Sequence, residues 1–278
     1  MLSGWVPLAL FALAVWSVQR VVTKVALLRW STARFYRLNA ILSLLVYLPF
    51  ALVVPPDVSG LPSAFALSLL MALTFWVTTE ATRRGPVSIV APLTATSPAL
   101  TVILALALLG ERLSPAAAVG VFAALAAAAL LAFRPSPLGA IGGWLALAAA
   151  SLVLQGIGAI IAKLVGTASG PTDLLLASAL VQLVVGLVIA RDEPMGVAEL
   201  AHGRGLLTAV VLAAAALATI GYLSALAVGP ASLIVPLVAT SPALGGLLGI
   251  LVLREGARPR QLAGIAVGAL AAALLATG

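Results

Sequence analysis

Lys24 and Lys163 each stand late in a long apolar run, and Glu111 and Glu255 each follow one at its end. Opposite charges placed this way can do one kind of work in a lipid setting: they pair, separate and pair again as helix ends approach and part. Such pairs suit gates, with Lys24 and Glu255 on one face of the membrane and Lys163 and Glu111 on the other. The plainer reading is four side chains snorkelling to the headgroups. Arg20 lies deeper and could hold a carboxylate through its planar fork. Glu80 is the acid best placed to carry a proton in the first half, although Arg84 four residues on also makes a simple helix-surface pair with it.

Uncharged chemistry gathers at two further places. Thr96, Ser97 and Pro98 recur as Thr240, Ser241 and Pro242. Each proline lacks an N–H and crowds the carbonyl four residues back, so it kinks or opens its helix. Carbonyls freed inside a membrane must meet water, a hydroxyl or a bound solute. The alternative is that the hydroxyls bond back to their own helix. Pro92 and Pro236 repeat the pattern one turn or two earlier. Trp16 and Trp76 fall inside spans and not at the interface where tryptophan usually anchors. With Gln19, Gln155 and Tyr222 they are expected to line a cavity able to stack on a flat or cationic ligand, unless they merely fill gaps between helices.

Much other chemistry is excluded. There is no cysteine, the single histidine is His202 in a loop, and Asp57, Asp173 and Asp192 read as scattered loop residues. No nucleophile with a base, no paired aspartates and no metal-ligand cluster can be assembled from these. No phosphate-binding loop of the Gly-x-x-x-x-Gly-Lys-Ser/Thr type occurs. The expectation is therefore no catalytic residue, no metal and no cofactor.

The elements that must position these residues are membrane helices. The chain has 278 residues, of which 63% are hydrophobic and 8% charged, and its mean hydropathy is +1.23. A soluble domain needs far more charge than this. Apolar runs of spanning length recur throughout, and runs such as 116–132 do not alternate as barrel strands would. The net charge of +7 lies in short loops, a topology signal and not a nucleic-acid face. The N-terminus lacks a charged leader and reads as a retained first span. Ten helices are predicted, near 5–28, 32–54, 64–83, 87–109, 115–133, 139–165, 172–190, 205–228, 231–253 and 258–276.

Residues 85–115 and 229–259 align without gaps, with 15 of 31 positions identical. They form the fourth and ninth spans, so each repeat holds five helices: residues 1–137 and residues 138–278. An odd number of spans inverts the second copy. The predicted fold is thus an all-α membrane protein, ten transmembrane helices as two inverted five-helix repeats around a central cavity, an arrangement that gives two equivalent gates. Gly139/Gly143, Gly245/Gly249 and Gly264/Gly268 have the spacing that lets helices approach closely. Packing within the bundle is the expected use, and a homodimer contact through the last span is the alternative.

The duplicated GPxSxxxPLxATSPAL…LxE segment, the two five-helix halves and a lysine late in the first helix of each half resemble the EamA-type drug/metabolite transporter superfamily. The resemblance covers the chain from Trp5 to the last span. It implies a ten-helix basket around a cavity that carries metabolites such as amino acids, nucleotide sugars or cationic drugs. YddG-type aromatic amino-acid exporters are one branch with this helix count.

With both termini outside, thirteen of the fifteen Lys/Arg residues fall on the cytoplasmic side and only Arg112 and Lys163 opposite; the resemblance implies cytoplasmic termini instead. The functional expectation is a secondary transporter in the cell (inner) membrane, exporting amino acids or similar amphipathic solutes by alternating access. The alternatives are a membrane-embedded enzyme and a non-catalytic subunit. Its partners would be a small-molecule substrate and the lipid bilayer, with no nucleic acid, proton coupling through Glu80, and a monomer or homodimer as the assembly.

Overall fold

The computed structural model describes residues 4–27, 30–84, 90, 93–132, 143–192, 203–253 and 258–277. Every long element among them is an α-helix: α1 (Trp5–Leu27), α2 (Thr32–Val53), α3 (Leu61–Arg84), α4 (Ser97–Leu108), α5 (Pro115–Ala132), α6 (Gly143–Ser169), α7 (Pro171–Ile189), α8 (Gly203–Val228), α9 (Ala231–Val238), α10 (Ser241–Leu253) and α11 (Pro259–Thr277). Among the described residues nine spans are long and apolar enough to cross a bilayer, α9 and α10 together supplying one of them. The shorter apolar helix α4 occupies the second half of the predicted fourth span. Lys24 lies in α1, but its side chain falls outside the described set, as do Pro92, His202, Glu255, Gly139 and the 137/138 repeat boundary.

Local chemistry sets the helix ends. Ser31 caps α2 by accepting the Arg34 N–H at 3.1 Å. Asp57 caps a short 3₁₀ turn, Val58–Gly60, before α3. Pro115, Pro171 and Pro259 each open a helix at the first position, where a missing N–H costs nothing. Gly170 joins α6 to α7 in one residue because its φ of 83° is open to glycine. That tight joint makes α6 longer at its C-terminal end than hydropathy indicates, since Lys163 is followed by almost two more turns before Ser169.

Helix pairing obeys a two-fold relation. α1 packs on α8 while α6 packs on α3; α2 packs on α7, and α5 on α11. Exchanging the first repeat for the second converts each of these pairs into itself or into its counterpart. Individual atoms follow the rule. A Cβ built on Gly120 would stand 2.9 Å from Leu275 Cγ and 3.1 Å from Leu274 Cβ; one built on Gly264 would stand 2.9 Å from Leu131 Cγ and 3.1 Å from Leu130 Cβ. Gly264 is the repeat counterpart of Gly120, and Leu274 and Leu275 are those of Leu130 and Leu131, so α5 and α11 cross at a pseudo-two-fold axis. Gly264 and Gly268 are thereby used inside the bundle, Gly268 against Ala127 and Ala243. The outward faces carry large apolar side chains, Leu52 at 85% and Phe122 at 73% exposure among them, as a lipid-facing surface requires.

Candidate functional site

The duplicated Ala-Thr-Ser-Pro motif breaks both repeat spans at the same place. Helical conformation lapses at Ala95–Thr96 and at Ala239–Thr240, and α4 and α10 begin at the serine that follows. Pro98 and Pro242 occupy the first turn of those half-helices, where the lost N–H is harmless. The break therefore precedes each proline and is not a kink within a continuous helix. Thr96 and Thr240 each donate back to the carbonyl three residues earlier, Leu93 O and Leu237 O, both at 2.7 Å. Each carbonyl also accepts the backbone N–H of the same threonine, and neither threonine lines the cavity. The serines differ: Ser97 Oγ donates to Gln155 Oε1 at 3.3 Å, and Ser241 Oγ accepts from Arg20 Nε at 3.2 Å and Nη2 at 3.1 Å.

Between the broken spans and their neighbours lies a cavity of about 670 Å³ at mid-depth. α1 contributes Trp16 and Gln19; α4 contributes Ser97 and Thr101; α6 contributes Gln155, Gly158 and Ala162. Tyr222 enters from α8 and tilts against Trp16, ring centroids 5.3 Å apart. Gln155 is fixed from two sides, accepting from Ser97 and donating Nε2–H to Ser151 Oγ at 2.9 Å. Ser151 in turn shares a hydrogen bond with Thr78 of α3. No lysine, arginine, aspartate or glutamate lines this cavity among the described residues.

Of the residues singled out by sequence, Trp16, Gln19, Ser97, Gln155 and Tyr222 are brought together around the cavity. Trp76 is not: it is 59% exposed and lies outside the lining. Its neighbour Phe75 takes that wall and pairs with Tyr36 at 5.9 Å. Arg20, expected to be buried toward the interior, is exposed, tied to Ser241 and absent from the lining. Thr96, Pro98, Thr240, Ser241 and Pro242 shape the breaks without lining the space.

The sequence reading missed the wall formed by α2 and α7, where Asn39 and Gln182 face each other across 3.5 Å. A signal existed. Tyr36, Asn39, Ser43 and Tyr47 recur at helical spacing along one stripe of α2, the only polar stripe on that helix facing its neighbours.

The charged residues settle at the ends. Glu111 accepts the backbone N–H of Ala231 and of Ser232, each at 2.8 Å, and so caps the N-terminus of α9. A carboxylate there meets two orphan donors and the positive end of the helix dipole. Lys163 Nζ donates to Gly229 O at 2.7 Å and Ala227 O at 3.3 Å, the C-terminal carbonyls of α8, and stands within electrostatic reach of Glu111. Trp5, 7% exposed, packs on Gly229 beside them. On that face Thr172 also ties α7 to Val54 O at 2.9 Å. Glu80 pairs with Arg84 at 2.5 Å near the opposite face, where Arg37 donates to Ala190 O at 2.8 Å.

One loop assignment needs correction. Asp173 is fully buried in the first turn of α7, because the single-residue joint at Gly170 draws it into the bundle. The Ser169 hydroxyl and the Asp57 backbone lie against its carboxylate, and the Asp57 carboxylate is within electrostatic reach. These two aspartates are outside the cavity lining. No group of three or more metal-ligating side chains occurs among the described residues.

Inverted helix pairing, two broken helices and a cavity between them are features that recur among transporter folds. Residues 3–133 match the family model described as the EamA-like transporter family, a family of membrane transporters and not of enzymes. A solved structure described as "Crystal structure of protein" is similar over 99% of this chain and 96% of its own, with a TM-score of 0.78 and 19% identity, which shows a shared fold. A search of curated proteins finds no match.

Proposed function

We propose that this chain is a secondary transporter that moves small amphipathic metabolites across the membrane by alternating access, in the cell (inner) membrane and in the export direction. The observation that carries the reading is the Glu111–Lys163 lock. Glu111 of the first repeat holds the N-terminus of α9 in the second, with Lys163 beside it on the end of α8, and the sequence repeats the same residue types as Lys24 and Glu255, which lie outside the described side chains. A contact between the repeats on one face, with its residue types duplicated in the sequence for the other, suits an alternating carrier better than a one-sided enzyme or a scaffold. Amino acids are the first cargo class to test, and Glu80 the first candidate for proton coupling.

The test is uptake of a labelled amino-acid mixture into proteoliposomes containing the purified chain, with and without a pH gradient. Saturable flux that Lys163→Gln and Glu111→Gln alter supports the reading. Flux indifferent to both substitutions removes the lock from the mechanism, and a protein that binds solutes without ever moving them removes the transporter reading itself.

A further inference from the structure

Among the described residues the cavity lining is mainly apolar, with uncharged polar groups set into it. Amides from four helices reach it: Gln19 on α1, Asn39 on α2, Gln155 on α6 and Gln182 on α7. Two aromatic pairs stand on its walls, Trp16 with Tyr222 and Tyr36 with Phe75. The nearest fixed cation on α1, Arg20, is already committed to Ser241 and does not line the space.

The amides divide into used and free. Gln155 is bonded at both ends, to Ser97 and Ser151, and the Gln182 carbonyl oxygen accepts from Asn39. Gln19 makes no hydrogen bond within the described chain, nor do the hydroxyls of Tyr222 and Tyr36. A free carboxamide offers a donor and an acceptor side by side, which matches an edge that also presents both. Aromatic walls accept any flat ring, because every such ring has a π-face. An ionised solute gains little here: its charge would leave water and, among the described residues, meet neutral dipoles alone.

Building on the transporter reading, we infer that the cavity selects an uncharged, flat nitrogen heterocycle with a donor–acceptor edge, of the nucleobase or nucleoside class. Gln19 reads the edge and the Trp16–Tyr222 pair holds the ring. A zwitterionic amino acid or an organic cation of the same size is the poorer ligand. The cavity volume of about 670 Å³ leaves room for a nucleoside as well as a base.

Equilibrium binding of tritiated adenine, uracil and adenosine to the purified full-length chain in detergent tests this. Competitors are unlabelled tryptophan and benzyltrimethylammonium. At least one heterocycle is expected to bind saturably and to resist both competitors. Gln19→Leu, which keeps the volume but loses the amide, is expected to weaken that binding about tenfold or more, and Gln182→Leu less. Melting temperatures of the variants separate a lost hydrogen bond from a lost fold. Binding of tryptophan or of the quaternary ammonium with no heterocycle binding overturns the inference, as does heterocycle binding that Gln19→Leu leaves unchanged in a folded protein. Amino-acid flux in liposomes without heterocycle binding leaves the transporter reading standing and removes this one. Heterocycle binding without flux does the reverse.

Discussion

Glu111→Gln is the substitution that bears most directly on the closed face. The carboxylate holds two backbone N–H groups at 2.8 Å, one through each oxygen. Hydrogen bonds to a charged acceptor contribute roughly 1.5–3 kcal/mol each, and a neutral one about 1 kcal/mol. Glutamine has a single acceptor oxygen, so it keeps one neutral bond and leaves the other N–H unpaired. The difference is about 2–5 kcal/mol, or a roughly 30- to several-thousand-fold loss of preference for this contact. Because these bonds join one repeat to the other, the loss falls on the closed arrangement and not on either half alone. The chain contains no cysteine, so a single Ala162→Cys on the cavity wall needs no further background changes. A membrane-impermeant maleimide applied from the Lys163 face reads out access. Labelling in the Glu111→Gln background is expected to run at least tenfold faster than in the native background. Equal labelling rates, in proteins of equal thermal stability, would refute the lock.

Three further outcomes follow from the geometry. Gly120→Ala and Gly264→Ala each drive a Cβ to 2.9 Å from a leucine Cγ. Each is expected to cost about 1–3 kcal/mol and to lower the melting temperature in detergent by the same amount as the other, within error; a clear inequality would count against the two-fold axis at α5 and α11. Trp16→Ala is expected to reduce flux through lost cavity wall, whereas Trp76→Leu is expected to leave flux and stability near native, both measured in liposomes. Ser241→Ala leaves the Arg20 guanidinium without its hydroxyl partner but spares the cavity lining. It is expected to change flux less than Gln155→Leu does, and the reverse order would make Arg20 part of the binding machinery.

The large features were legible because membrane helices write themselves into hydropathy and because the repeat is still half identical over its fourth and ninth spans. Lys163 and Glu111 were placed on one face by counting crossings, and the structure sets them within electrostatic reach of each other. What counting could not show is that both bond backbone at one helix joint and not chiefly each other. The position of Trp76 failed for a related reason. Hydropathy says how deep a residue sits, while rotation about the helix axis decides whether it faces the cavity, and neighbouring Phe75 took that direction. Asp173 was read as a loop residue because Gly170-Pro171 looks like a linker; a one-residue joint with positive φ buries it instead. The α2 stripe was visible in the spacing of Tyr36, Asn39, Ser43 and Tyr47, but a stripe of tyrosine and serine reads like any packed membrane helix until a partner such as Gln182 is opposite it.

The two-fold scaffold carries a lining that is not two-fold, and the departures are chemically pointed. In the register that pairs Lys24 with Lys163, Trp16 corresponds to Gln155, Gln19 to Gly158, Arg20 to Ala159 and Arg34 to Asp173. Small or buried residues that shape the packing are kept, as Trp5 and Trp144 show with 7% and 8% exposure at matching places. A carrier with identical halves would open equally to either side and would meet its solute in two equivalent poses. Here the aromatic walls come from α1, α2, α3 and α8, the amide of Gln19 belongs to α1, and α6 supplies a glycine and an amide bonded at both ends. The Trp16–Tyr222 pair thus spans both repeats, while the Gln19 amide sits on the first alone. In a carrier of the kind proposed, the Arg20–Ser241 contact and the Glu111 cap would weight the two faces unequally, so its resting preference would be set by asymmetric side chains and not by the symmetric fold.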